Sequence, residues 1–153
     1  MKATFEIRRP RHDETQALTD LAMRAKASWG YDRDFMEACR SELTVTPAQL
    51  DAWRFWVAED RDGLVGMIAL ADADDHAELE DFFVAPEAQG QGVGRALMDE
   101  LQAECRSRGH ARIEVDADPN AEATYARLGF RTIGRSPSGS IRGRFLPRMV
   151  RRL

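Results

Sequence analysis

Gln89-Gly90-Gln91-Gly92-Val93-Gly94 stands between a strand-like run, Glu78-Leu79-Glu80-Asp81-Phe82-Phe83-Val84, and a helix-like run over 94–108. The glycines at 90, 92 and 94 remove side chains that would block a close approach. A helix starting here presents unpaired backbone N–H groups and the positive end of its dipole. Strand, glycine loop and helix in that order form a cradle for a phosphate or pyrophosphate. Glycine is also common in ordinary strand-to-helix turns, so the order and spacing carry the reading.

Two phosphate motifs are excluded by inspection. A P-loop ends in Gly-Lys-Ser/Thr, and the chain contains no Lys-Ser or Lys-Thr. A dinucleotide fingerprint needs a small residue three places after its second Gly; from Gly92 that place is Arg95 and from Gly94 it is Leu97.

Moving outward, Thr4-Phe5-Glu6-Ile7-Arg8 alternates as a first strand. Asp13, with Gln16 completing a capping box, is expected to start a helix whose apolar face is Leu18, Leu21, Ala22 and Ala25. Trp29-Gly30-Tyr31 breaks it. Shorter helical pieces follow around Phe35, Met36 and Cys39 and at Thr46-Pro47. Phe55-Trp56-Val57-Ala58 and the apolar run from Leu64 to Leu70 predict a hairpin turned at Asp62-Gly63. The second of these strands is apolar at nearly every position, which calls for helices on both faces of the sheet.

Beyond the loop, Val93, Leu97, Leu101 and Cys105 step by four along one side of a helix that Gly109 ends. Arg112-Ile113-Glu114-Val115-Asp116 is then a strand parallel to the one before that helix. Asp118-Pro119 opens a helix over 120–128, stopped by Gly129. Closing strands are predicted over 130–134 and 141–150, joined through 135–140.

The chain of 153 residues, 43% of them hydrophobic, is long enough for one two-layer domain, expected over 1–153. No run of about 18 apolar residues is present to cross a bilayer, and Met1-Lys2-Ala3-Thr4-Phe5-Glu6 lacks the apolar core of a signal peptide, so a cytoplasmic, membrane-free protein is expected. Cys39 and Cys105 are too few for a disulfide framework or metal cluster; both are expected reduced and partly buried, with no metal bound. A net charge of −4 argues against nucleic acid as a partner, although Arg142, Arg144, Arg148, Arg151 and Arg152 concentrate positive charge near the end.

Gln89, Gly92 and Gly94 match a Gln/Arg-x-x-Gly-x-Gly/Ala signature, and Asn120, Tyr125 and Leu128-Gly129-Phe130 follow at the matching distance. On these residues the chain resembles the GNAT N-acetyltransferase superfamily, and its tail from Ser138 to Met149 resembles a small bacterial subgroup of it. The resemblance implies an α/β fold with a mixed, mostly antiparallel central sheet, a splayed parallel pair and helices on both faces. It also implies acetyl-coenzyme A as co-substrate and an amine as acceptor, acetylated by direct attack in a ternary complex. Family members are often homodimers through their last strands.

The same resemblance distributes roles. Backbone groups of Gln89, Gly90, Gln91, Gly92, Val93, Gly94 and Arg95 would hold the pyrophosphate, and Phe82, Phe83 and Val84 the pantetheine arm. An N–H near Phe83 or Val84 would face the thioester oxygen. Glu78 lies where the histone-acetylating branch has its catalytic Glu, whereas Glu80 lies closer to the thioester; both share strand parity, and either is a candidate base. Tyr125 would protonate the leaving thiolate, a phenol with its pKa near 10 being able to donate at neutral pH. Asn120 would bind the arm or cap its helix. Thr124 departs from the Phe common at its place. Trp29 and Tyr31 would wall the acceptor site or pack in the core, and Arg142 or Arg144 would meet an acidic substrate group or a partner subunit. The alternative is a GNAT-fold module that senses acyl-coenzyme A without turnover.

Overall fold

The structure is a computed structural model that describes residues 4–153. Met1, Lys2 and Ala3, which open the amino-terminal stretch read above, lie outside the described residues. The elements run β1 (Glu6–Arg8), α1 (Thr15–Ala27), α2 (Arg33–Leu43), α3 (Pro47–Ala52), β2 (Arg54–Asp60), β3 (Gly63–Asp72), β4 (Ala77–Val84), α4 (Val93–Ser107), β5 (Arg112–Asp116), α5 (Glu122–Arg127), β6 (Arg131–Pro137) and β7 (Phe145–Arg152). The strands form one seven-stranded sheet in the order β1-β2-β3-β4-β5-β7-β6. Every neighbouring pair is antiparallel except β4 and β5, which are parallel as a helical crossover requires.

The β2–β3 hairpin follows from its turn. The Asp62 N–H donates to the Asp60 carboxylate at 2.8 Å, and Gly63 takes φ +121°, a value open to glycine. From Val65 to Leu70, β3 is buried at every position, so both faces are covered. α4 lays Val93, Leu97, Leu101 and Cys105 on one face, and α1 lays Leu18, Leu21, Ala22 and Ala25 on the other.

The seat of α4 depends on Gly66. A Cβ at that position would stand 2.7 Å from Val93 Cγ1 and 2.9 Å from Leu97 Cδ1. Leu97 can swing its terminal methyl, but Val93 is stiff at χ1, so the helix must lift. Gly66→Ala is expected to cost about 1–3 kcal/mol, as overpacking does, and a lower urea midpoint at unchanged slope is the measure. An unchanged midpoint would show that α4 is not seated this tightly.

The start of α1 departs from the sequence reading. The chain enters through a 3-10 turn over His12–Glu14, which moves the cap forward. Glu14 accepts the Arg11 N–H at 2.8 Å and holds Arg8 through two bonds of 2.9 and 2.8 Å. Asp13 is left on the surface beside Arg11, and Gln16 donates to Asp20 instead of capping.

The closing hairpin also shifts. β6 continues to Pro137, and the connection is 138–144, where the Ser138 hydroxyl accepts the N–H groups of Ser140 and Ile141 and so makes the turn. The expected splay of the parallel pair is present: β4 and β5 pair only at Ala77↔Ile113 and Glu78↔Glu114. Beyond that point the strands part, and the β5-facing main-chain groups of 79–84 have no ladder partner among the described residues.

Candidate active site

The loop over 89–92 is shaped by two glycines. Gly90 has φ +77° and Gly92 φ +87°, and a Cβ on either would meet nothing within 4 Å. Positive φ, not crowding, selects glycine here, and the backbone faces open space. The first helical bond of α4 runs from the Ala96 N–H to the Gly92 carbonyl at 3.0 Å. The N–H groups of Val93, Gly94 and Arg95 have no partner among the described residues, which suits them to an anion. Gln89 reaches back toward the Val84 carbonyl at 3.5 Å, and the Gln91 amide donates to Glu87 at 3.3 Å.

From this loop a groove of about 330 Å³ runs between α4 and α5, with Val84, Val93, Gly94, Arg95, Tyr125 and Leu128 among its walls. Arg127 also borders it. Arg127 had no role assigned from the sequence, yet it lines the same groove as Gly90, Gly92 and Arg95.

A second cavity of about 250 Å³ opens where β4 and β5 part. Phe82 and Tyr125 border both spaces, so the groove and the cavity meet at these two rings. Tyr125 is 6% exposed, packed edge-on against Phe82 at 5.9 Å and Phe130 at 5.3 Å. Its hydroxyl has no hydrogen-bond partner among the described residues, and burial holds its proton well beyond the ordinary phenol range. A hydroxyl without a partner, carried on a buried ring that borders two spaces, is available to a bound group.

The carboxylates divide differently from the sequence reading. β4 carries a bulge: Leu79 pairs with Leu70 and Asp81 with Ala69, so Glu80 is the extra residue. The simple parity that grouped Glu78 with Glu80 is therefore interrupted between them and the end of the strand. Glu78 is held by Arg148 through two bonds of 2.7 Å and by His76 at 2.8 Å. The parallel register sets Glu78 beside Glu114, which shares the same guanidinium at 3.1 Å. Both Glu78 oxygens are thus engaged.

Glu80 is exposed at the mouth of the cavity; desolvation there, then Glu78 and Asp116, raise its pKa against the pull of Arg148. Asp81, one residue on, is half-buried in the cavity wall with no ion pair or hydrogen bond to its carboxylate among the described residues. Burial first, then the charges of Glu80 and Glu42, push its pKa up to about 7. Asp81 is not among the candidate bases expected from the sequence. Its signal was available as a third acidic residue at 81 in a strand that otherwise turns apolar.

Trp29 walls both the groove and the cavity. Tyr31 instead enters a partly buried cluster. Its hydroxyl donates to Asp118 at 2.9 Å and accepts from Asn120 at 2.9 Å and Arg144 at 2.6 Å. Burial and then Asp118 push the phenol up to about 12. The Arg144 guanidinium lies 4.9 Å from the Phe35 ring centroid and 3.4 Å from Asp118, which also pairs with Lys26 at 3.2 Å. Burial works to raise the Asp118 carboxyl, but the Asn120 N–H, Lys26 and Tyr31 outweigh it and hold it below the usual range. Asn120 and Arg144, expected at the arm and at an acidic substrate group, are thus committed to Tyr31 and Asp118.

Known proteins are similar to this chain in sequence or in fold. Human N-acetyltransferase 8 is 31% identical over 123 residues, covering 73% of this chain and 54% of its own length, so the chain spans about half of that relative. A GCN5-related N-acetyltransferase from Rhodopseudomonas palustris superposes with a TM-score of 0.81 at 23% identity, covering 100% of this chain and 98% of its own. The PaiA N-acetyltransferase of Thermoplasma acidophilum, solved in complex with coenzyme A, superposes with a TM-score of 0.80 at 18% identity over 98% and 99% of the two chains. The profile of the acetyltransferase (GNAT) domain matches residues 23–145, a span that takes in the bulged strand, the glycine loop and Tyr125. With its splayed parallel pair and its glycine-led helix, this chain belongs to the GNAT acetyltransferase family.

Proposed function

We propose that the protein is an N-acetyltransferase that moves an acetyl group from acetyl-coenzyme A to a primary amine, both substrates being bound together. The observation that carries this reading is the junction at Tyr125 of a groove leading from an anion cradle with a cavity leading to free carboxylates. The open backbone at Gly90 and Gly92 and the unpaired first-turn N–H groups of α4 fit a pyrophosphate. The unladdered edge of β4 fits the peptide-like pantetheine arm.

Acetyl-coenzyme A supplies an activated acyl group as its thioester. Asp81, flanked by Glu80, takes the proton from the arriving ammonium, directly or through a water, because a carboxyl poised near 7 is matched to that task. A main-chain N–H at Phe83 or Val84 is the donor for the carbonyl oxygen as it gains charge. The N–C bond forms, the C–S bond breaks, Tyr125 gives its proton to the departing sulfur, and the second proton of the nitrogen leaves to solvent, from which Tyr125 is reprotonated. Glu78 acts by fixing Arg148 across the splay point and not as a base.

The test is an amine panel followed by thiol release. Tyr125→Phe is expected to lower kcat about a hundredfold, the low end of general-acid contributions, with KM for acetyl-coenzyme A nearly unchanged. Turnover of no amine, despite coenzyme A binding, would instead indicate a sensing module.

A further inference from the structure

We propose that Trp29 sets the length of the acyl group: its indole narrows the neck between the coenzyme groove and the acceptor cavity, so that acetyl fits and longer unbranched acyl chains are refused. This inference rests on the acetyl-transfer reading and assigns its acyl selectivity.

Trp29, Phe82, Ala121 and Tyr125 border both spaces and so form the neck. The coenzyme arm ends on one side of it, and the amine waits on the other. The acyl group has to stand in the neck itself, because the sulfur it leaves and the nitrogen it joins lie on opposite sides. A wall of the neck is therefore a wall of the acyl site.

The other walls belong to the core. Tyr125 is part of it, and Phe82 and Ala121 pack against it. The Phe82 ring meets Tyr125 edge-on at 5.9 Å, and a Cβ on Gly94 would stand 3.4 Å from its tip. Trp29 is different: it is half-buried but does not pack against the core. No aromatic ring or cation pairs with it among the described residues. A lone half-exposed indole is ordinary on a surface, but this one lines a groove and a cavity at once.

The backbone holds it there. Leu18, Leu21, Ala22 and Ala25 anchor α1 in the core. The Trp29 N–H then closes a last turn on the Lys26 carbonyl at 3.2 Å, and Gly30 at φ +90° turns the chain away. The indole is thus fixed in position through its helix and not through its own packing. Removing it widens the neck without opening a hole in the core.

An apolar site sized for a chain refuses an extra methylene by about 10–200-fold. Where room exists, each added methylene instead gains about fourfold in affinity through burial. The two regimes have opposite signs, so a series of acyl chains reads the wall.

Calorimetric titration with free, acetyl-, propionyl-, butyryl- and hexanoyl-coenzyme A tests this without an acceptor, each affinity being taken relative to free coenzyme A for the same protein. In the parent, affinity is expected to fall by about tenfold or more beyond acetyl. In Trp29→Ala the order should reverse, with butyryl above acetyl by about tenfold. Trp29→Phe, a smaller ring in the same place, should lie between. A parent that binds hexanoyl- as well as acetyl-coenzyme A overturns the inference. So does a Trp29→Ala variant that keeps the parent's cut-off, since Phe82 and Tyr125 would then set the neck alone. If the cut-off and its reversal are found but no amine is acetylated, the acyl site is assigned correctly and transfer is what fails. If amines are acetylated and the series is flat, transfer stands and the inference falls.

Discussion

Asp81→Asn is expected to lower kcat by about 10²–10⁴-fold, the span of a lost general base, while making the folded protein more stable above neutral pH. The two effects share a cause. Asp81 is a carboxyl in a cavity wall without a cationic partner, and its pKa in the fold is about 7, against an ordinary value of about 3.9. The folded state thus binds the proton more tightly than the unfolded chain.

Stability from this group is fully present below pH ~4, declines as pH rises toward 7, and is gone above it. Asn removes that decline. The variant should exceed the parent by on the order of 2 kcal/mol at pH 8, with the difference shrinking toward pH 4. Activity shows the complementary dependence: kcat/KM of the parent rises with pH through about 7, and the residual rate of Asp81→Asn lacks that limb. Urea unfolding at two pH values and a pH–rate profile read both effects. A variant that is inactive and also less stable at pH 8 would mark Asp81 as a structural residue, and the base would then be sought at Glu80.

The contrast between Asp81 and Glu78 shows where sequence stops informing. Strand, glycine loop and helix were legible because each is local: positive φ at Gly90 and Gly92 and the four-residue step from Val93 to Cys105 are written in neighbouring residues. The hairpin at Asp62-Gly63 was legible for the same reason. Strand parity, by contrast, assumes an unbroken ladder, and the bulge at Glu80 breaks it.

Whether Glu78 is free depends on a residue 70 positions away, Arg148, which arrives beside it only through the β5–β7 pairing. No spacing in the chain announces that contact. Asn120, Tyr31 and Arg144 illustrate the same limit: each was a reasonable ligand contact alone, and only the assembled loops reveal that they bind one another around Asp118. The Asp13 cap failed for a smaller reason, a 3-10 turn that moved the capping position to Arg11.

Gly92→Val should abolish useful binding of coenzyme A, weakening it about a hundredfold or more, while costing the fold only about 1–2 kcal/mol. The second figure is the strain of placing a side chain at positive φ, here φ +87°. No steric penalty adds to it, because a Cβ at Gly92 meets no protein atom within 4 Å. That open space lies at the start of α4, whose first-turn N–H groups have no partner among the described residues, so beyond this strain the new side chain meets no protein atom and obstructs a phosphate. Losing one or two hydrogen bonds to a charged group, at about 1.5–3 kcal/mol each, accounts for the hundredfold.

Acetyl-pantetheine makes the argument specific, since it carries the thioester and arm without the nucleotide phosphates. Its turnover should be nearly equal in Gly92→Val and the parent, whereas acetyl-coenzyme A should lose its advantage. Gly94→Ala provides the comparison, because its φ is not positive and its Cβ would rest 3.4 Å from the Phe82 ring on the groove side, a tight contact that perturbs the arm more than the phosphates. If Gly92→Val binds coenzyme A as the parent does, the phosphates do not sit at this helix start, and the groove must be occupied in another direction.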